Sequence, residues 1–418
     1  MAIKITSFLK PGWRYFCLHK WTVVALLIIG LVGLLSVSWF RGNYLISAVD
    51  FSMPMNIIKS FIANFYSWDS RSLGSSNPRI LALTFPVWSY FALSEVIGLS
   101  LVNAEKILFY SIFTISGLSM YYLTTTLINT KTFKLKHLAG LISGVFYMLN
   151  PYVAINIMPL RQTSYIIYAL LPLILAIFVK GLNEKRNIKF AVIAALVMLL
   201  ATSTYVDPSF VPLTFLPLLL YFIFFILTNP EKTAIFTAFK FTLTFFVTWM
   251  LLNLYWLIPD LYSYSNGLAE VASAYSSLGE SFQSIVQLNS APISGAIRLL
   301  GYWGLSSGYK GDPYFTWASV YQSPLFVVIG FSIPILAFIP LLLKPKDKHV
   351  IFIASLAIIS LLLINGSYSP IANWIYLRVP LFSALFDTPY LRFGMYLTLA
   401  YAFLISYVLA ELLERVLK

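Results

Sequence analysis

Residues that build metal sites and disulfides are nearly absent from this 418-residue sequence. Cys17 is the only cysteine, which excludes a disulfide within the chain and a thiolate metal cluster. His19, His137 and His349 are too widely spaced to indicate a histidine metal site. Phosphate-binding glycine loops, Ser/His/Asp triads and zinc-binding spacings are also missing. The sequence therefore indicates no particular cofactor, and a divalent metal is not predicted.

Charged residues are scarce as well. They make up only 10% of the chain, whereas a soluble domain carries about 25%. Hydrophobic residues make up 59%, and the mean hydropathy is +0.83. Repeated apolar runs of about 20 residues predict membrane-spanning helices. The net charge of +13 comes from basic residues in short connections between these runs, which is a topology signal, so we predict no nucleic-acid partner. The expected fold class is all-α, a polytopic transmembrane helical bundle.

The basic residues also set the orientation of the bundle. Lys4, Lys10, Arg14 and Lys20 precede the first apolar run, which places the N-terminus in the cytoplasm. No small-residue cleavage site follows, so this run is predicted to be retained as a helix. We predict ten spans, at residues 21–40, 106–128, 138–156, 164–180, 190–206, 209–228, 236–258, 323–343, 349–364 and 393–411. Both termini are then cytoplasmic in a protein of the cell membrane, and the 18 basic and 5 acidic residues inside account for the whole net charge.

The segment between the first two spans decides this orientation. If Ile80–Leu101 crossed the membrane, the later basic loops would all fall outside. It has too few residues before Glu95, and Pro86 interrupts them, whereas a crossing helix needs about 20. We predict an embedded or re-entrant hairpin instead. The chain 1–418 is then a single transmembrane domain whose long outer segments, 41–105, 259–322 and 365–392, are expected to carry the site.

Asp50 is the candidate general base. It follows the first span by about ten residues and precedes an amphipathic helix that Ser52 can cap, with Pro54 in its first turn. A carboxylate at such a boundary between water and hydrocarbon is partly desolvated, which raises its pKa and suits it to take a proton from a hydroxyl group. The alternative is an ordinary solvated acid in a loop.

The same outer segment holds three further polar candidates. Trp68 and Asp69 are adjacent, and an aromatic ring beside a carboxylate is typical of sugar-stacking sites. Asp69 has an alternative role in a local ion pair with Arg71. Glu95 lies in an apolar stretch, where a carboxylate is costly unless it faces a cavity or a partner. Structural and functional roles for Glu95 both remain open.

Two arginines are candidate phosphate ligands. Arg161 follows Asn150-Pro151 in a tight outer connection with few acids nearby, and a guanidinium there can grip a phosphate through two hydrogen bonds. The alternative is an arginine that extends to the lipid headgroups. Arg392 stands at the outer mouth of the last span, where its alternative role is an interfacial anchor paired with Asp387. Asp207 is predicted simply to end a helix.

The pattern of a long acidic first loop followed by two spans with a basic turn resembles the GT-C superfamily of glycosyltransferases that use lipid-phosphate sugars. Within it, the likeness is greatest to the membrane part of mycobacterial-type α-(1→3)-arabinofuranosyltransferases and related YfhO-like proteins. Three stretches carry it: Val49-Asp50-Phe51 with Trp68-Asp69, Met148-Leu149-Asn150-Pro151 with Tyr168-Ala169-Leu170-Leu171-Pro172, and Val379 to Phe393. The usual Asp-x-Asp or Asp-x-Glu motif after the third span is absent.

The resemblance implies a polyprenyl-phosphate-linked sugar as donor and a glycan, glycolipid or glycoprotein as acceptor. Both would bind at the membrane surface, in contact with membrane lipids. It implies Asp50 as the catalytic acidic residue and arginines near the donor phosphate. Inverting transfer is expected, with Trp303 and Trp317 as stacking surfaces for the acceptor. Three alternatives stay open: a polysaccharide polymerase or ligase, a non-enzymatic lipid or sugar transporter, and a scaffold subunit of a glycan assembly complex.

Overall fold

The computed structural model describes residues 20–46, 53–54, 56–66, 68–69, 75–76, 80–130, 132–157, 162–184, 188–305, 314–315, 317–379 and 381–417. Helices dominate these residues. They are α1 (Lys20–Trp39), α2 (Ile57–Ala63), α3 (Ile80–Leu83), α4 (Ser89–Val96), α5 (Leu101–Leu127), α6 (Phe133–Met148), α7 (Pro151–Ile157), α8 (Gln162–Asn183), α9 (Ile188–Leu199), α10 (Phe210–Thr228), α11 (Lys232–Asn289), α12 (Ile293–Ala296), α13 (Ala318–Gln322), α14 (Pro324–Leu343), α15 (Lys348–Asn365), α16 (Pro370–Arg378), α17 (Phe382–Leu385) and α18 (Pro389–Val416). The strands β1 (Trp68–Asp69) and β2 (Ser75–Ser76) form one antiparallel pair.

Among the described residues, nine helical stretches are long and apolar enough to cross a membrane. They match nine of the ten predicted spans, with α6 and α7 together supplying one of them, Phe133–Ile155. The predicted span at 190–206 differs, because α9 ends at Leu199 and a 3₁₀ helix, Thr202–Val206, completes the segment. The all-α class and the polytopic bundle are confirmed. Which side of the membrane each loop faces stays a prediction.

The last helix, α18, is the centre of the bundle. In its most apolar stretch 94% of residues are buried, against 22% in α1, α11 and α14. It packs against α6, α14 and α15, while α5 packs against α6 and α8. An apolar helix surrounded on all sides belongs to the core of a bundle, whereas one with an exposed apolar face borders lipid. The peripheral helices α1, α11 and α14 therefore present their apolar faces to the membrane.

Small residues allow α5 and α6 to approach closely. A Cβ atom added to Gly144 would lie 2.7 Å from the backbone oxygen of Gly117 on the facing helix. Such contact between backbones is how helices associate in lipid, where the hydrophobic effect gives no drive for packing. The close approach fixes α6, and with it the Asn150-Pro151 stretch that follows.

The first outer segment is built differently from the sequence prediction. Helix α2 begins at Ile57, and its N-cap is Asn56, whose side chain accepts a hydrogen bond from the amide of Lys59 at 2.8 Å. The predicted cap, Ser52, lies outside the described residues. Downstream, the 80-onward segment is broken between α3 and α4, where Phe85 has extended backbone angles (φ −125°, ψ 136°). It is shorter than a membrane-crossing helix, while its position relative to the membrane stays a prediction.

The outer segment 259–322 is more helical than expected. Helix α11 continues through Pro259 to Asn289, well beyond the predicted end of its span at residue 258. After it come α12, a 3₁₀ turn at Trp303–Leu305, and α13. The segment therefore includes a long extension of a membrane-length helix.

Candidate active site

A largely apolar cavity of about 660 Å³ lies between the helices. Its walls come from five parts of the chain: the end of α1 with Ile46, the middle of α5, the junction of α6 and α7 at Asn150-Pro151, the turn after α12, and α13 with α14. It therefore joins segments 41–105 and 259–322 to one of the stretches that carry the family resemblance. Its size and apolar lining are typical of sites for small molecules or lipid chains.

Arg298 is the only charged residue among the described side chains that line this cavity. Its Nη2 donates a hydrogen bond to the Tyr321 carbonyl at 2.8 Å, and its guanidinium lies 5.2 Å from the centre of the Phe331 ring. Its Nε is buried and has no hydrogen-bond partner among the described residues. A buried donor without a partner is unfavourable, which makes this atom available to an anionic ligand.

The backbone beside Arg298 is unusual. Leu299 adopts a left-handed conformation with φ +60°, which is rare for a bulky side chain. Its carbonyl accepts a hydrogen bond from the hydroxyl of Tyr390, the second residue of α18. On the other side, a Cβ at Gly330 would lie 2.6 Å from Arg298 Nε. The turn after α12 and a glycine on α14 thus hold the guanidinium at the cavity wall.

Asn150 organises the neighbouring wall. Its side-chain nitrogen donates to the carbonyls of Phe146 and Tyr147 at 3.0 and 2.9 Å, and its oxygen accepts from the amide of Val153 at 3.1 Å. The nitrogen also lies 3.2 Å from the hydroxyl of Tyr168, whose ring stacks on Tyr147 with centroids 4.1 Å apart. The two halves of the second resembling stretch therefore meet in one hydrogen-bonded unit between α6, α7 and α8.

The third resembling stretch joins the same unit. Tyr152 donates to the carbonyl of Leu391 at 2.7 Å, and its ring contacts Tyr390 with centroids 5.7 Å apart. Both contacts tie α7 to the start of α18. The second and third stretches thus form one packed assembly at the edge of the cavity.

Arg392 lies in a cluster of its own. Its Nη2 is 2.8 Å from Asp207 Oδ2 and 3.9 Å from Asp387 Oδ1, and its guanidinium sits 4.7 Å from the centre of the Phe210 ring. Two carboxylates therefore already balance this cation. Sequence reasoning named Asp387 as a possible partner but missed Asp207, which also accepts two hydrogen bonds from Ser209.

Burial raises the pKa of the Asp387 carboxyl above its ordinary value; Arg392 opposes the rise and Asp207 adds to it. Burial disfavours the charged form of an acid, so this group keeps its proton to higher pH than a solvated aspartate. The cluster thus contains a carboxyl group with a perturbed affinity for protons. The phosphate-binding role predicted for Arg392 stays a prediction.

Trp303 and Trp317 belong to one aromatic cluster. Trp303 contacts Tyr302 and Tyr314 with ring centroids 5.1 and 5.6 Å away. Trp317 stacks on Phe315 at 4.8 Å and contacts Tyr321 at 5.7 Å. Since Tyr321 lines the cavity and accepts the hydrogen bond from Arg298, the cluster extends from the cavity wall to the exposed ring of Trp303.

The remaining predicted residues are placed only in part. Asp50 and Arg161 lie outside the described residues, as does the side chain of Asp69, whose backbone is in β1. Trp68 is an exposed residue of the same strand, and Glu95 is exposed near the end of α4. Neither is part of the described cavity lining. Their substrate-binding roles stay predictions.

No group of three or more His, Cys, Asp or Glu that could hold a metal ion occurs among the described side chains. The part of the site that includes Asp50 lies outside that description. Independence from metal therefore stays a prediction, and the chemistry proposed below uses only protein groups.

The fold defines a class of membrane protein, the polytopic bundle of membrane-length helices. No family model and no curated protein matches the chain. Among solved structures, it is similar to the arabinofuranosyltransferase AftD from Mycobacteria, determined by single-particle cryo-EM, with a TM-score of 0.58 and 13% sequence identity. The match covers 94% of this chain but only 26% of AftD. At this identity the likeness establishes the fold.

Proposed function

We propose that this protein is a membrane glycosyltransferase that moves a sugar from a polyprenyl-phosphate donor to a glycan, lipid or protein acceptor outside the cytoplasm. The observation that carries the proposal is the apolar cavity with one arginine, Arg298, on its wall. A GT-C-type fold similar to that of AftD supports the same class of reaction. A lipid-linked sugar phosphate needs this combination, because its chain is apolar and its head is anionic.

The donor would bind with its isoprenoid chain along the walls formed by α5 and α14. Its phosphate would meet Arg298, whose free Nε and neighbouring Nη atoms can donate two parallel hydrogen bonds to phosphate oxygens. Arg298 replaces Arg392 as our preferred phosphate ligand, since Arg392 already lies 2.8 Å from Asp207. Arg161 remains a second candidate, because it follows α7, which begins at the cavity wall.

Asp50 would act as the base. It follows Ile46, a cavity-lining residue, by four positions, and four residues span at most about 14 Å. Asp50 takes the proton of the acceptor hydroxyl while the acceptor oxygen bonds to the anomeric carbon and the bond from that carbon to the phosphate oxygen breaks. The phosphate leaves with the electron pair, and Arg298 stabilises its charge. The configuration at the anomeric carbon inverts.

The acceptor would enter over the aromatic cluster. Exposed Trp303 offers a flat surface on which a sugar ring can stack, and the cluster leads to Tyr321 beside Arg298. Trp68, Asp69 and Glu95 are further candidates from the first outer segment. Under the topology predicted from the basic residues, the reaction would occur on the extracytoplasmic side, with both termini of the chain in the cytoplasm.

The test is transfer by the purified protein in lipid nanodiscs, supplied with a panel of polyprenyl-phosphate pentoses and hexoses and with glycan acceptors. Asp50→Asn should lower transfer by a factor of about 100 to 10,000, the usual contribution of a general base, while binding of polyprenyl phosphate is retained. Glu231→Gln, a change at an exposed acid before α11, is the matched control. An Asp50→Asn protein as active as the control would refute the mechanism.

The same preparation separates the alternatives. Movement of the lipid across proteoliposomes without transfer would indicate a transporter. Joining of preassembled lipid-linked oligosaccharides, with no use of single-sugar donors, would indicate a polymerase or ligase.

A further inference from the structure

A second cavity, of about 560 Å³, lies among the helix ends away from the proposed active site. It is lined by the C-terminal ends of α5 and α8 and the N-terminal ends of α6 and α15. The two cavities touch opposite ends of α6, since Phe133 and His137 line this one while Phe146 and Met148 line the other. Under the predicted topology, this cavity opens at the cytoplasmic surface.

Its charges favour an anion. Lys136 and Lys180 line it from α6 and α8, and among the described residues neither is within ion-pairing distance of a carboxylate. Glu184, exposed at the rim, is the single acidic residue of the described lining. Two lysines against one glutamate leave the described lining with a net positive charge.

One wall carries a polar atom without a partner. The Nδ1 atom of His349 is buried and makes no hydrogen bond to any described residue. His137, in contrast, is already engaged, because it contacts the hydroxyl of Tyr121 and lies 3.4 Å from the hydroxyl of Thr22. The free nitrogen of His349 therefore offers a hydrogen bond to a ligand inside a cavity that already carries two cations.

We infer that this second cavity binds a phosphate-bearing anion between Lys136, Lys180 and His349. Lysine ammonium groups bind phosphate as point charges, and the hydroxyl group of Thr126 on the same lining can donate a further hydrogen bond. The phosphate belongs either to an anionic lipid headgroup of the inner leaflet or to a soluble phosphorylated molecule. This site is separate from the proposed transfer reaction and does not depend on it.

Two probes distinguish these sources. Native mass spectrometry of the detergent-purified protein measures retention of phosphatidylglycerol against phosphatidylcholine. Thermal melting in inorganic phosphate against chloride of equal ionic strength measures binding of the free anion. The double variant Lys136→Gln/Lys180→Gln should weaken binding of the anionic probe by about fivefold for each lysine removed. Lys346→Gln, at an exposed lysine outside the described cavity lining, is the matched control and should bind as the wild type does.

Glu184→Gln provides a test that does not depend on loss of function. It changes an exposed residue and removes the only negative charge of the described lining, so it should tighten binding by a similar factor. Tighter binding of phosphatidylglycerol supports a lipid headgroup, and tighter binding of phosphate supports a soluble ligand. Equal binding of both probes by the wild type, the double lysine variant and Glu184→Gln would overturn the proposal.

Discussion

A single methyl group at Gly330 should separate the proposed phosphate-binding role of Arg298 from its structural role. The Cβ of Gly330→Ala would lie 2.6 Å from Arg298 Nε, too close for both atoms to keep their places. Because the atom displaced belongs to a long flexible side chain, the guanidinium can swing away without disturbing the helix. We therefore expect Gly330→Ala to fold with nearly wild-type thermal stability and to bind donor lipid poorly.

The size of the effect follows from the hydrogen bonds that are lost. A hydrogen bond to a charged group contributes about 1.5–3 kcal/mol, and each 1.4 kcal/mol is about tenfold in affinity. Arg298→Met should therefore raise the Kd for polyprenyl phosphate by about 10- to 100-fold, and Gly330→Ala should reach a similar value where displacement of the guanidinium is complete. Native mass spectrometry or a fluorescent polyprenyl phosphate gives the Kd directly.

The double variant Arg298→Met/Gly330→Ala shows whether both changes act through the guanidinium of Arg298. If Gly330→Ala acts by moving Arg298, it should add no further loss of affinity in the Arg298→Met background. Gly30→Ala is the matched control, because its Cβ would make only an ordinary 3.7 Å contact with the Tyr110 hydroxyl. Unchanged affinity in Gly330→Ala, or an equal loss in both backgrounds, would refute the assignment of Arg298 to the donor phosphate.

Three further predictions concern the fold and the rest of the site. Burial raises the pKa of Asp387, so the stability contributed by its protonated carboxyl is present below the unfolded pKa and is lost as the pH rises through the raised value. Asp387→Asn should therefore flatten the fall in melting temperature with pH above about pH 4. An unchanged slope of melting temperature against pH would contradict this prediction. Gly144→Ala forces a Cβ to 2.7 Å from the Gly117 carbonyl and should cost about 1–3 kcal/mol, measured as a lower melting temperature than that of Gly30→Ala. Trp303→Ala should raise the KM for acceptor by about 2- to 10-fold through lost stacking and leave the KM for donor unchanged.

The bundle itself was predictable from the sequence because membrane-length apolar runs have few other stable structures. The errors fall where composition is ambiguous. The predicted span at 236–258 ends just before Pro259, yet α11 passes through that proline to Asn289. Proline removes only one hydrogen bond from a helix, and neighbouring elements in a membrane protein can satisfy the freed carbonyl.

Arg298 had no comparable signal. It and Lys310 are the only basic residues in 259–322, which marks both as unusual but assigns neither a role. The features that define Arg298 come from distant parts of the chain: the carbonyl of Tyr321 and the bare backbone of Gly330. The pair between Arg392 and Asp207 is similar, because 185 positions separate its members. Spacing in a single sequence does not reveal such contacts.

In the stretches that carry the family resemblance, the described polar side chains stabilise the packing of the helices. Asn150 caps α7 and binds Tyr168, and Tyr152 binds the backbone of Leu391. These side chains use their hydrogen bonds on one another, so they shape the cavity wall without offering groups for catalysis. The described residues of these stretches therefore bear on the fold more than on any particular chemistry. The proposed chemistry depends on Asp50 and Arg298, and only Arg298 has a described position. The affinity measurements on Arg298→Met, Gly330→Ala and their double variant therefore discriminate most sharply between a donor site and a gap between helices.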